Sequence, residues 1–179
     1  PESNYMNASG GKVASWGDAD NGSSFYASED KVMDIEIADA GYATLYHNTK
    51  LYIPSTVEAY VVSSMTETSA KMEKVQGTLP ANTAVILKGA GQHKFVTSAD
   101  EAATITANKL RGTMVDKEVA GPAYVLASIN NVTGFYAAKL TNGKFVNNAG
   151  KAYLPKPAEA SARFISFDFG TETAIENIE

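Results

Sequence analysis

Apolar and polar positions along this chain come in short bursts separated by turn residues, without the sustained three-to-four-residue rhythm of an amphipathic helix. β-Type runs occupy Tyr42–Tyr46, Glu58–Ser64, Ala84–Lys88, Lys94–Thr97, Ala123–Ser128, Phe135–Lys139 and Arg163–Phe169. Many short strands with turn chemistry between them are the signature of a sandwich or barrel. The separators include Gly89-Ala90-Gly91, Asn130-Asn131, Asn142-Gly143 and Asn148-Ala149-Gly150. Asn142-Gly143 is the strongest hairpin signal, because both residues accept the positive φ of a type I′ turn. It predicts a strand ending near Leu140 paired with one starting near Lys144. Val85-Ile86-Leu87 is apolar at successive positions, which suits a strand buried on both faces. Pro80 and Asn82, just before that run, supply a rigid φ and a turn-tolerant residue.

Helix signals are weak. Ser98 followed by Glu101 resembles a capping box, but Thr104-Ile105-Thr106 is β-branched, so one helical turn is the most the segment predicts. Pro80, Pro122, Pro155 and Pro157 stand at the edges of runs, where a missing donor costs least. The expected fold is all-β, an antiparallel β-sandwich over residues 34–170 with an N-terminal β-hairpin extension over 1–33 and a short tail over 171–179. Within the extension, Lys12–Trp16 and Ser24–Ala27 read as two strands joined by the polar loop Gly17–Ser23. Two strands alone are marginal in water, so the extension needs a partner or belongs to a preceding domain. The aromatic residues Phe135, Tyr136, Tyr153, Phe164, Phe167 and Phe169 are the expected packing between sheets, each worth about 1.5–3 kcal/mol if fully buried.

Composition narrows the function. With 44% hydrophobic and 20% charged residues the chain is ordinary for a folded domain, which argues against disorder. The absence of Cys removes disulfides, zinc-thiolate sites and thiol nucleophiles together. Lys and Arg are scattered and the net charge is −5, so no basic footprint for nucleic acid is present. The longest apolar runs, such as Ala84–Leu87 and Tyr124–Ala127, are far too short for a helical membrane span. The chain opens at Pro1-Glu2-Ser3-Asn4 without an initiator Met, which points to a piece of a longer protein with any export signal upstream.

From Gly41 onward, successive landmarks occur in a familiar order. They are Gly41-Tyr42-Ala43-Thr44-Leu45-Tyr46, Glu58-Ala59-Tyr60-Val61-Val62, Leu79-Pro80-Ala81-Asn82 leading into Thr83–Gly89, Tyr124-Val125-Leu126, Gly134-Phe135-Tyr136, Lys151–Pro155 and Phe164–Phe167, with Thr173–Ile178 closing. This arrangement resembles a domain found near the C-termini of large exported Bacteroidetes proteins. The resemblance implies an accessory β-sandwich in a secreted or cell-surface bacterial protein, without catalysis of its own and partnered by the other domains of its parent. Tyr5-Met6-Asn7, Gly11–Trp16 and Ser24-Phe25-Tyr26 resemble the closing repeat of a β-trefoil lectin-like domain, with Phe25 where many relatives carry Trp.

Candidate chemistry is sparse. His47 and His93 have no His, Cys or acid at ligand spacing, and no Ser has the glycine flanks of a nucleophile elbow. Plain structural or solvent-facing histidines are the expectation. Glu58, Glu67, Asp100 and Asp116 could form a glycosidase-like pair only if folding converged them, and such acids are ordinarily solvated. Asp18-Ala19-Asp20-Asn21-Gly22, with Glu29 eleven residues after Asp18, echoes a calcium loop, yet Gly22 and Ser23 fall where an oxygen ligand and Gly belong. No metal or cofactor is called for. Asn7, Asn21 and Asn131 head glycosylation-type triplets, which a bacterial source would make chance matches. The alternative to a structural module is carbohydrate binding, with Trp16 as an aromatic platform and Asp18, Asp20 and Asn21 fixing hydroxyls of a glycan. The plainer reading of Trp16 is a buried contact residue.

Overall fold

The structure is a computed structural model that describes the backbone of Tyr5–Ser9 and Lys12–Trp16 and the whole of residues 31–170. The chain divides into two compact units, Pro1–Asp30 and Lys31–Glu179. In the first, β1 (Tyr5–Ser9) pairs antiparallel with β2 (Lys12–Trp16), Tyr5 opposite Trp16 and Ser9 opposite Lys12. The expected partner of Lys12–Trp16 was Ser24–Ala27, which lies outside the described residues. The observed partner is Tyr5–Ser9, reached across Gly10-Gly11, a two-residue connection of the composition that tight hairpins favour.

The second unit runs β3 (Val32–Ile37), β4 (Tyr42–His47), β5 (Leu51–Tyr52), β6 (Glu58–Met65), β7 (Ser69–Val75), β8 (Thr78–Leu79), β9 (Thr83–Lys88), β10 (Gly91–Thr97), β11 (Arg111–Gly112), β12 (Lys117–Ala120), β13 (Ala123–Ile129), β14 (Val132–Ala137), β15 (Lys144–Asn147), β16 (Ala152–Pro155) and β17 (Phe164–Asp168). No helix occurs among the described residues, so none there is long and apolar enough to cross a membrane. The single helical turn expected at Ser98 is replaced by local bonding. Ser98 Oγ accepts the Asp100 N–H at 3.1 Å and meets Thr78 Oγ1 at 3.2 Å, while Ala102 bridges Thr78. Ser and Thr side chains that bond nearby backbone compete with helix formation in this way.

Three sheets result. One has four strands in the order β3-β10-β5-β8, and one is the two-stranded ribbon β12-β15. The largest has nine strands, β11-β16-β13-β14-β17-β7-β6-β9-β4, and rolls until its two ends nearly meet. At that seam the Tyr46 N–H donates to the Gly150 carbonyl at 2.8 Å and the Ala152 N–H donates to Thr44 Oγ1 at 3.1 Å. Pairing is antiparallel throughout except between β7 and β17, which run parallel with Ser69 opposite Ser166. A parallel neighbour needs a long crossover, and here β8–β16 intervene.

Rolling creates two cores that share one wall. Along β9, Val85 and Leu87 face a core closed by Ile37, Leu51, Leu79 and Phe95 of the four-stranded sheet. Ala84 and Ile86 face the inside of the roll, against Leu110, Tyr124, Phe135, Leu154 and Ile165. β6 splits the same way, with Ala59 and Val61 on one side and Tyr60 and Val62 on the other. The expected doubly buried strand at Val85–Leu87 is therefore the partition itself, with all three residues at 0% exposure.

Two expectations need correction. Asn142 and Gly143 do adopt positive φ of 51° and 76°, and Thr141 and Lys144 exchange both backbone hydrogen bonds. The turn then opens, because β14 has already ended at Ala137 and β15 pairs with β12, Val119 opposite Phe145. The long hairpin is closed at Asn130-Asn131 instead, with φ of 51° and 63°. Of the expected core aromatics, Phe135 is fully buried, but Phe169 is 37% exposed at the end of β17, where it contacts Tyr60, Tyr42 and Phe167.

Candidate functional site

Of the proposed carbohydrate residues, Trp16 is the last residue of β2 by its backbone, while its side chain and Asp18, Asp20 and Asn21 lie outside the described residues. So does the calcium-like loop with Glu29. Among the described residues no group of three His, Asp or Glu is placed to hold a metal ion.

The two histidines are structural. His93 sits on β10, where the sequence reading expected a Gly-rich turn, and it is buried. Its Nε2 lies 3.0 Å from the Gly89 carbonyl, and its Nδ1 lies 3.0 Å from Thr56 Oγ1. A carbonyl can only accept, so Nε2 donates to Gly89, while the Thr56 hydroxyl, which can donate or accept, meets Nδ1. The ring thus straps the β5–β6 connection to the turn after β9. His47, the last residue of β4, spends its Nδ1 on the Thr49 N–H at 3.2 Å and the Thr49 hydroxyl at 2.7 Å.

The four weighed acids occupy four places. Glu67 lies in the β6–β7 turn, and Asp100 follows β10, its carbonyl accepting Lys50 Nζ at 2.6 Å. Asp116 Oδ1 accepts the Ala149 N–H at 2.7 Å, tying the approach to β12 to the turn before β16. Glu58, at the start of β6, is the best furnished. Its Oε1 accepts Lys74 Nζ at 2.5 Å; its Oε2 accepts the Tyr60 hydroxyl at 3.0 Å and faces Lys88 Nζ at 3.5 Å. The Lys74 hydrogen bond first, then that of Tyr60 and the charges of Lys74 and Lys88, hold its carboxyl below the ordinary glutamate range. The group is a fixed, ionised acceptor without a carboxylate partner among its contacts.

Two concave regions stand out on the second unit. One follows the β12-β15 ribbon, where compartments of about 440 and 420 Å³ share Val125 and Val146. Part of its polar lining is paired internally. Lys144 pairs with Glu118 at 2.9 Å, and buried Asn147 donates to Thr113 Oγ1 at 2.7 Å and to the Lys151 carbonyl at 2.9 Å. The other, about 520 Å³, lies where the β5–β6 turn meets the end of β7. Its lining includes Tyr52, 52% exposed, together with Glu58, Lys74 and Gln76. β5 is only two residues long, Leu51–Tyr52, and Ile53-Pro54 follow it at once, so the run carried too little pattern for the sequence to single Tyr52 out. An aromatic residue directly before a turn-forming Ile-Pro step was the available signal.

No protein-family model matches the chain, and no curated protein or solved structure matches it either. What the fold and the contacts define is an all-β protein with a doubly packed core and polar side chains spent on internal joints.

Proposed function

We propose that the chain is a non-catalytic accessory module of a secreted or cell-surface bacterial protein, holding or spacing that protein's other domains. The observation that carries this reading is how its reactive side chains are used. His93, His47, Glu58 and Asp116 each close a joint between strands or turns, and no buried side-chain polar atom among the described residues lacks a partner. Groups committed to such joints stabilise by roughly 0.5–3 kcal/mol each, and moving them to perform chemistry would forfeit that. The export context rests on the landmarks from Gly41 to Ile178 and is part of the proposal.

A direct test is a panel of chromogenic ester, phosphate and glycoside substrates, with Glu58→Gln and His93→Ala compared against the parent chain. The module reading expects no turnover from any of them, and lowered unfolding midpoints for the two variants. Turnover that vanishes in either variant while the variant remains folded would overturn it. Carbohydrate binding is the second reading, and the observation that favours it is the exposed tyrosine beside a polar concavity.

A further inference from the structure

We infer that the concavity framed by Tyr52, Glu58, Lys74 and Gln76 is a binding site for a neutral saccharide, an inference that rests on the second reading above. Exposure of one tyrosine carries nothing by itself, since single apolar residues on a surface are normal. What distinguishes this one is its setting. Tyr52 is clamped between two strands, opposite Val96 of β10 on one side and Thr78 of β8 on the other. The chain then turns immediately, with the Val57 N–H donating to the Pro54 carbonyl at 3.0 Å. A ring anchored on paired backbone is a platform whose ordering cost is already met, which favours binding.

The rest of the lining offers the matching polar groups. Ionised Glu58 has about four acceptor positions, and Lys74, Tyr60 and Lys88 occupy three of them, leaving one for a ligand hydroxyl. Lys74 spends one of its three N–H donors on Glu58 and keeps the others. Gln76, exposed beside the Gly77 turn at φ 82°, presents an amide that both donates and accepts. A sugar ring has this pairing of surfaces: a C–H face for the aromatic and a rim of hydroxyls that donate and accept. A volume of about 520 Å³ falls within the usual range of ligand sites. Within the lining Glu58 and Lys74 form an ion pair, so their charges offset each other, which suits an uncharged polyol.

The experiment uses the full chain on a glycan array, followed by calorimetric titration with neutral oligosaccharides of glucose, xylose, mannose and galactose. The site predicts binding that Tyr52→Ala weakens roughly tenfold or more, that Tyr52→Phe largely keeps, and that Gln76→Ala weakens about threefold to tenfold. Circular dichroism confirms that each variant is folded. Binding unchanged in Tyr52→Ala but lost in Trp16→Ala overturns this site and leaves the carbohydrate reading standing on the first unit. Absence of binding to every neutral glycan overturns both. Binding only to charged glycans, fading with salt and indifferent to Tyr52, overturns the assignment of ligand class.

Discussion

Gly112 on β11 is the residue through which the seam of the rolled sheet can be tested most sharply. A Cβ added there would lie 2.3 Å from Tyr46 Cγ, 2.4 Å from Tyr46 Cβ and 2.5 Å from Cδ2. Carbon atoms rest about 3.5–4.0 Å apart, so Tyr46 would have to retreat by roughly 1 Å or more. It cannot do so freely. Its N–H is bonded to the Gly150 carbonyl, and its side chain packs against the inner core. Overpacking of this kind costs about 1–3 kcal/mol. In a chain of this size each kcal/mol moves the midpoint by about 2–4 °C, so Gly112→Ala should melt roughly 2–12 °C lower. Thermal and urea unfolding followed by far-ultraviolet circular dichroism would measure it, with exposed Ser128→Ala as a control expected within about 0.5 kcal/mol of the parent. Adding Tyr46→Gly removes all three clashing atoms, so the double variant should cost less than the two single changes summed. A Gly112→Ala protein as stable as the parent, or strict additivity, would refute the seam.

The other predictions concern the shared wall and two titrating groups. Ile86→Ala and Leu87→Ala each delete three buried carbons, about 2.4 kcal/mol of transfer energy rising to about 2–5 kcal/mol with the cavity, and urea unfolding should show losses of this order at both. Tyr124→Phe loses the bond its hydroxyl donates to the Ala162 carbonyl at 3.0 Å, but that carbonyl keeps Lys156 Nζ at 2.9 Å, so the cost should sit near 0.5–1 kcal/mol by equilibrium unfolding. Burial raises the Tyr124 pKa, so its contribution is fully present below about pH 10, where the unfolded phenol ionises, and is lost as pH rises through the native value. Ultraviolet titration of the folded parent and Tyr124→Phe, whose difference is this phenol, should show that late ionisation. The Glu58 carboxyl is displaced the other way, so its stabilisation holds above the ordinary glutamate range and fades as pH falls through its lowered native value. Glu58→Gln should flatten that part of the acid unfolding profile, modestly because the group is half-exposed.

Much of the β architecture was legible from residue pattern. The runs at Tyr42, Glu58, Ala84 and Ala123 begin strands at or within a residue of where they were expected, because β-branched and aromatic residues cluster there between turn formers. The partition strand was legible too, since Val85-Ile86-Leu87 in succession, just after the turn residues Pro80 and Asn82, suits a strand buried on both faces. β7 escaped notice because Lys71, Glu73 and Lys74 dilute its apolar face of Ala70, Met72 and Val75. The strand around Phe145 was assigned the wrong neighbour, because turn chemistry at Asn142-Gly143 fixes a local reversal but not which distant strand pairs next. The Tyr52 concavity was illegible for a related reason. Its walls come from β5 of the four-stranded sheet and from β6 and the end of β7 of the nine-stranded sheet, so it exists only where two sheets meet.

The proposed spacer role requires the second unit to behave as one body, which depends on β6 and β9 serving both cores at once. Amide hydrogen exchange read strand by strand tests this most directly. The slowest amides should lie in β6 and β9, exchanging only through global unfolding, with β12 and β15 opening far earlier. If β9 instead exchanges as fast as the β12-β15 ribbon, or the two cores lose protection in separate steps, the shared wall does not hold the unit together.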